Sequence, residues 1–448
     1  MKIIIAGAYG IGTYLARLLS RKHQDIVLMD PDPDRLEGIG AECDLLAIEA
    51  SPSSISDLRT AGAEHADLFI AVTPDQNLNI TSCVLAKALG TKKTVAKVDD
   101  YEYTDASLSG FFSNLGVSSV IYPEALAAKD IINGLKMSWV RQRWDVHDGA
   151  LVMLGIKLRE TCEILDRPLK ELCGPDDPYH VVAIKREGDT IIPGGNDRLK
   201  VSDLAYFMTT KNYIPYIRKI VGKENYVDVK NVMVMGAGGT AVRAVKTMPD
   251  YMSVKVIEKD DKRCEYLNDV FDESRDIMII NGDGRDLSLL TEEGIRNTQA
   301  FVALTPHAET NILACLAAKR MGVRKTVALV ENIDYVGMAE SLDIGTIINK
   351  KAIAASYIYQ MMLDAKVENV RFLMTANADV AEFTPREGAK VTRKAVKDLG
   401  LPIGVTIGGL VRDGKGMLVS GNTQILPGDS VMVFCHSVDM KRIEKYFI

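Results

Sequence analysis

The chain has no run approaching the roughly 18 uninterrupted apolar residues that a membrane-crossing helix requires, so it is not expected to cross a bilayer itself. Its opening apolar stretch breaks at a glycine loop, Gly7 to Gly12, and continues into "RLLSRKH" without a small-residue cleavage site, which argues against a signal peptide. Paired cysteines are missing as well. The seven present (Cys43, Cys83, Cys162, Cys173, Cys264, Cys315 and Cys435) are an odd, scattered set with no CxxC, which excludes a disulfide framework and a thiolate zinc site and predicts reduced, buried thiols. There is no excess of positive charge. A formal charge of −6 and a pI near 5.7 leave no electrostatic footprint for nucleic acid. The six histidines (His23, His65, His147, His180, His307 and His436) contain no HxxxH or HExxH pair, and no G-x-S-x-G or Walker loop occurs, so neither a metal site nor an acid–base or nucleophilic centre is expected. No Pro/Gly/Ser-rich tether separates domains.

What is present is written twice. "KIIIAGAYGIGTYLARLL" from Lys2 aligns with "NVMVMGAGGTAVRAVKTM" from Asn231, which sets Gly7 against Gly236. "AVTPDQNLNITSCVLAKALG" from Ala71 aligns with "ALTPHAETNILACLAAKRMG" from Ala303, and "IKREGDTIIPGGNDRLKVSD" from Ile184 aligns with "LVRDGKGMLVSGNTQILPGD" from Leu410. The spacing between copies is nearly constant and gives four parts in the order N1, C1, N2, C2, with expected boundaries 1–140, 141–225, 229–366 and 367–448.

Each N part alternates short Ile/Val/Leu runs with amphipathic segments of helix length, the pattern of parallel βαβ units. The first is expected to place strands at 2–6, 26–30, 44–48, 67–72, 93–98 and 117–121. The fold class is therefore α/β: two Rossmann-like, doubly wound parallel sheets, each followed by a small α+β domain. A helix opening at Pro123, and its counterpart "NKKAIAASYIYQMM" from Asn349, follow the last strand of each sheet and suit an arm against another domain or subunit. In C2, "ILPGDSVMVF" predicts a turn into a hairpin.

In a dinucleotide-binding unit the first glycine makes the tight turn, the second admits the pyrophosphate, and the third lets helix pack on strand. Gly236, Gly238 and Ala241 have that spacing after an apolar run, with Gly239 beside them. Glu258 ends the next apolar run, "VKVIE", at the distance from Gly236 where a carboxylate accepts from ribose hydroxyls. Asp283 in "NGDGRD" is placed to reach an adenine edge or to cap the helix "RDLSLLTEEG". N1 keeps Gly7, Gly12 and Asp30 in the same frame but has Tyr9 at the second glycine, with Gly10 next to it as a source of backbone freedom. Lys97, where N2 has Leu329, is a candidate phosphate partner. Thr73 and Thr305, each before proline, fall at the carboxyl edge of their sheets, where they serve as ribose contacts or as strand-to-helix turn residues.

These features resemble the Trk-type potassium-uptake regulatory (TrkA) family, built from tandem RCK units. The resemblance rests on the two glycine loops, "ADLFIAVTPDQNLN", "GDGRD", "PEALAAKDI" and "ILPGDSVMVF", and covers essentially the whole chain. It implies a cytoplasmic protein, peripheral at the inner face of the membrane, that binds NAD(H) or ATP/ADP without catalysing a reaction. It further implies a homodimeric or homotetrameric ring under a TrkH/TrkG-like potassium transporter subunit, with no nucleic acid partner. Two departures stand out: Tyr9, and "IEAS" at Ile48 to Ser51 in place of Gly-Asp-Ala-Thr, so that the adenine contact of N1 either comes from Glu49 or is lost. The alternatives are an NAD(P)-dependent oxidoreductase and a regulator of an efflux-type potassium transporter.

Overall fold

The computed structural model describes every residue except 23, 174–176, 272–274, 364–365, 374–377 and 437–439; His23, and part of the expected boundary before C2, lie outside the described residues. In N1 the apolar runs become β1 (Lys2–Ala6), β2 (Asp25–Asp30), β3 (Leu46–Glu49), β4 (Leu68–Ala71), β5 (Lys93–Lys97) and β6 (Ser119–Ile121). They form one all-parallel sheet ordered β3-β2-β1-β4-β5-β6. Helices α1 (Gly10–Ser20), α2 (Ile39–Glu42), α3 (Ile55–Ala61), α4 (Gln76–Leu89) and α5 (Ser109–Asn114) connect the strands, and α6 (Pro123–Leu135) follows the last. The central strand β4 is buried along its whole length, which is why it reads as a continuous apolar run without alternation.

C1 is an antiparallel sheet of β7 (Gln142–Val146), β8 (Leu151–Lys157), β9 (Tyr179–Arg186), β10 (Asp189–Ile191) and β11 (Leu204–Thr209), ordered β10-β9-β11-β8-β7 and followed by α7 (Ile214–Ile220). N2 repeats N1. Its strands are β12 (Asn231–Met235), β13 (Ser253–Glu258), β14 (Ile277–Asn281), β15 (Ala300–Ala303), β16 (Lys325–Leu329) and β17 (Thr346–Ile348), ordered β14-β13-β12-β15-β16-β17. Its helices are α8 (Gly239–Thr247), α9 (Asp261–Val270), α10 (Leu287–Glu292), α11 (Ala308–Arg320), α12 (Asp334–Ser341) and α13 (Lys350–Gln360).

C2 has β18 (Lys366–Leu373), β19 (Ala378–Thr384), β20 (Val405–Arg412), β21 (Lys415–Leu418) and β22 (Ser430–His436), then α14 (Met440–Glu444). Its order, β18-β19-β22-β20-β21, is that of C1 read from the opposite edge, β7-β8-β11-β9-β10, so the first and fourth strands take the edges and the last strand lies in the middle of both sheets. The expected hairpin at "ILPGDSVMVF" is not formed. β22 enters between β19 and β20 and does not pair with the preceding β21, because Asp429 ties the turn elsewhere: it accepts from Leu426 N at 2.8 Å and pairs with Arg412 on β20. The same arrangement holds C1 together. Asp203 accepts from Lys200 N at 2.7 Å and from the Arg186 guanidinium at 2.9 and 2.7 Å.

The chain folds into two units, Met1–Leu126 with Lys350–Met362, and Ala127–Asn349 with Leu363–Ile448. The first is N1 joined by α13, a helix from the other half of the sequence. α13 lies on α1, Lys22 sits 4.3 Å over the Tyr359 ring, Lys350 pairs with Glu124 at 3.2 Å, and Lys93 donates to Met361 O at 2.9 Å. Within the second unit the two small sheets share one core, in which Trp144, Met153 and Tyr206 meet Val380, Met432 and Phe434.

Lys325, which aligns with Lys93, also ties its sheet to the segment after a crossover helix, donating to Val140 O at 2.6 Å and to Thr346 Oγ1 at 3.1 Å. It is fully enclosed, and burial, reinforced by the Arg141 charge, pushes its amine from 10.5 down to about 7. Between about 7 and the lysine range of the unfolded chain, near 10.4, the unfolded state binds more protons, so stability rises with pH across that window. Thermal midpoints of wild type and Lys325→Met measured from pH 6 to 10 should therefore diverge above pH 7, the wild type gaining on the variant; a constant difference would show that Lys325 does not titrate there.

Candidate functional site

Parallel β–α connections bring the expected residues to one edge of each sheet. In N1 the Gly7–Gly12 loop follows β1, Asp30 ends β2, Glu49 ends β3, Thr73 follows β4 and Lys97 ends β5, so all stand at the carboxyl ends of five neighbouring strands. In N2 the corresponding edge carries the Gly236–Gly239 loop, Glu258, Asp283 and Thr305. This is the edge at which open α/β sheets bind ligands.

The first glycine of each loop is required by its backbone. Gly7 has φ +104° and Gly236 φ +97°, and a Cβ there would press on the Thr73 or Thr305 backbone at 2.9 or 3.1 Å. The second position is different. Tyr9 (φ −91°, ψ −179°) and Gly238 (φ −67°, ψ 172°) share an extended conformation that any residue adopts, each as the N-cap of the following helix. Tyr9 therefore leaves the loop backbone intact, and its ring lies 4.2 Å under the Arg35 guanidinium. Around Gly238 the space into which a side chain would project is open to 4 Å. At the third position, a Cβ on Gly12 would overlap the Gly7 carbonyl oxygen, whereas N2 accommodates Ala241.

The acids brace the loops. Asp30 is fully buried, and its Oδ2 accepts from Ala8 N at 2.8 Å, while Oδ1 accepts from Asp32 N at 3.0 Å and from Arg35 at 3.1 Å. Glu258 repeats this: Oε2 accepts from Ala237 N at 2.9 Å and Oε1 from Lys259 N and Asp260 N at 2.9 and 3.0 Å. Each acid thus fixes the peptide just after the first glycine. Neither Tyr9 nor Gly238 offers a side-chain acceptor to the first turn of α1 or α8, unlike Ser54, Asp75, Asp260 and Asp286, which cap α3, α4, α9 and α10. The N–H groups of those two first turns remain available to an anion.

Thr73 and Thr305 act as turn residues. The Thr73 hydroxyl donates to Asn79 Oδ1 at 2.7 Å, and Asn79 donates back to Thr73 O and to Lys97 O, both at 3.0 Å. Thr305 and Asn311 reproduce the arrangement, with Asn311 reaching Leu329 O at 2.8 Å. These buried asparagines were not singled out from the sequence, although both aligned stretches carry one at the same distance after the threonine. Lys97 Nζ is held by Asp99 Oδ1 at 2.5 Å. Asp283 does not cap α10; Asp286 does, by accepting from Ser288 N at 2.8 Å, because it is the residue immediately before the helix. Asp283 instead grips Arg285 through both oxygens, and that pairing lowers its carboxyl to about 2. Strand register sets Glu49 opposite Asp30 as Asn281 is opposite Glu258, so Glu49 occupies the place of Asn281 and Ser51 that of Asp283.

Three cations escaped the sequence reading. Arg35 and Arg263 stand near the acids of the two edges, Arg263 donating to Ala237 O at 3.0 Å. Lys351, on α13, lies beside the first turn of α1: a Cβ on Gly10 would fall 3.1 Å from its Nζ. No local sequence signal connects Lys351 to a loop in the opposite half of the chain; only the crossover of α13 does.

Among the described residues no helix is long and apolar enough to cross a membrane, and no group of His, Cys, Asp and Glu is arranged to hold a metal. The TrkA-N domain profile matches residues 3–123 and again 232–350, and the TrkA-C domain profile matches 380–448. The chain is similar to the Trk system potassium uptake protein TrkA of Azorhizobium caulinodans (27% identity, covering 100% of this chain and 98% of that one). It is also similar to a TrkA homolog of Archaeoglobus fulgidus (28%, 100% of both). The GsuK RCK domain (TM-score 0.61, 14% identity, 100% of this chain and 94% of that one) and the GsuK channel bound to NAD (0.60, 14%, 100% and 78%) have the same fold. With two TrkA-N domains and a TrkA-C domain matched in order, the chain belongs to the TrkA family.

Proposed function

We propose that this protein is a non-enzymatic regulatory subunit of a membrane potassium uptake system, in which NAD(H) binds at the carboxyl edges of N1 and N2 and ATP or ADP competes there. The observation that carries the reading is the pair of acid-braced glycine loops, each opening onto a helix first turn without a side-chain cap. The open space at Gly238 fits a diphosphate against the α8 N-terminus, and its neighbour Glu258 fits the ribose. The relatives' names and the NAD- and ADP-bound GsuK structures support the choice of system and ligand. We take the domains as 1–140, 141–225, 229–366 and 367–448. The partner is a TrkH/TrkG-like subunit, met by a homodimeric or homotetrameric ring at the cytoplasmic face of the membrane.

In N1, Gly7, Gly10 and Gly12 shape the loop, Asp30 braces it, Lys97 and Lys351 flank the phosphate position, and Glu49 and Thr73 border the base and ribose. In N2 the corresponding set is Gly236, Gly238, Gly239, Glu258, Asp283 and Thr305. A nucleotide at N1 meets both α1 and, through Lys351, the crossover helix α13, so it binds the arrangements of that helix unequally. Differential affinity of this kind is what shifts a population between two conformations.

Titration calorimetry with NADH should give two sites per chain. Glu258→Ala removes the N2 site while leaving N1, Gly238→Tyr, which gives N2 the side chain that N1 carries as Tyr9, weakens N2 without removing it, and Lys351→Met weakens N1 about tenfold at low salt, the scale of one charge-assisted phosphate contact. An unchanged stoichiometry in Glu258→Ala contradicts the N2 assignment. Deleting the chain should reduce potassium uptake in cells, and purified protein should not consume NADH; steady turnover with a carbonyl substrate would point to an oxidoreductase instead.

A further inference from the structure

A second kind of site lies away from both nucleotide edges, within the larger unit. There the ends of β8, β9 and β11 in C1 face the edge strand β17 and helix α12 of N2 across a cavity of about 520 Å³. That volume is in the range of pockets for small organic ligands. Its floor is an ion-pair cluster. Asp343 receives Arg141 at 2.6 Å, Lys319 at 3.2 Å and Arg159, while Glu340 receives Lys185. Burial alone would raise the Asp343 carboxyl, but Arg141, Arg159 and Lys319 together hold it below the usual carboxylate range.

Two groups lining the cavity are not satisfied by the protein. The amine of Lys157, half-buried at the end of β8, makes no hydrogen bond or ion pair with any described residue, and burial lowers it below the usual lysine range despite Asp343 nearby. Gln142, on the edge strand β7, buries its Oε1 without a donor among the described residues. Buried polar atoms are normally partnered and an unpaired one is costly, so an orphaned acceptor and an unpaired cation lining one cavity mark a place where a ligand completes the bonding. The charge is incomplete in the same sense. Of the cations lining it, Arg141 is paired with Asp343 and Lys185 with Glu340, while Lys157 has no carboxylate on its amine; Arg159 and Lys319, outside the lining, add positive charge behind Asp343.

We propose that this cavity binds a small hydroxylated phosphate monoester, whose dianionic phosphate pairs with Lys157 against the Arg141 side of the cluster and whose hydroxyl donates to Gln142 Oε1. The phosphate supplies the counter-charge that Lys157 lacks, and a hydroxyl supplies the donor that inorganic phosphate places less well once its oxygens face the cations. Because the cavity walls come from C1 and from the edge of N2, an occupant braces the two parts against each other independently of the nucleotide loops.

The test uses the full chain saturated with NADH, so that the nucleotide edges are filled, and titrates ribose 5-phosphate and inorganic phosphate by calorimetry. One ribose 5-phosphate per chain is expected, with Lys157→Met weakening it at least tenfold. Gln142→Leu should weaken ribose 5-phosphate several-fold while leaving inorganic phosphate unchanged. Absence of binding at millimolar ribose 5-phosphate, or equal affinity in wild type and both variants, overturns the proposal; so does equal affinity for the ester and inorganic phosphate. NADH affinity, measured separately in the same variants, should not move, and this separates failure here from failure of the nucleotide sites.

Discussion

A single hydrogen bond, made twice, sets the geometry on which the rest depends. A carboxylate at the end of the second strand of each parallel sheet accepts the N–H of the residue that follows the first glycine, Asp30 from Ala8 and Glu258 from Ala237. That bond pulls the loop back across the strand ends after its left-handed glycine and delivers the chain, extended, to the N-cap of the next helix. With the loop pinned, the helix begins where its free N–H groups point along the sheet edge. A charged acceptor to a buried amide is among the stronger hydrogen bonds a protein makes, so the loop is held before any ligand arrives. The second glycine contributes no special backbone angle to this design, which explains how Tyr9 replaces it without disturbing the fold.

Around that fixed edge the duplicated chain is laced rather than merely tandem. The helix after N2, α13, belongs to the compact unit of N1, and its Lys351 and Lys350 sit where the first half alone has no counterpart. Equivalent lysines, Lys93 and Lys325, close the two sheets onto carbonyls that follow crossover helices. Lys93 is exposed and Lys325 wholly enclosed, so the two halves carry the same contact at very different electrostatic cost. The C domains show the same economy: the Arg186–Asp203 and Arg412–Asp429 pairs occupy matching places, each tying the turn before the last strand to an arginine of a neighbouring strand.

Much of this was legible in the sequence. Strand positions, the duplication, the glycine loops and the acids follow from apolar runs and spacing, because βαβ units keep their chemistry local to strand ends. Three things were not. The cap of α10 is decided by which aspartate directly precedes the helix, a matter of a short step along the chain that separates Asp286 from Asp283. The pairing of β22 depends on Asp429 bonding across to Arg412, so the turn signal at Pro427 and Gly428 was visible while its destination was not. Lys351, and the cavity between C1 and N2, arise only where distant segments meet, and no local pattern encodes such a meeting.

The central claim is that the braced loops are nucleotide sites and that the N1 site is read by the crossover helix. Hydrogen–deuterium exchange of the full chain with and without saturating NADH tests it most directly. The account predicts slower exchange in Gly7–Leu15 and Gly236–Val245, and also in Lys350–Gln360, which is remote in sequence but rests on α1. Unchanged exchange in both loops would contradict nucleotide binding, and protection of the loops without any change in α13 would contradict its role as the element the ligand moves.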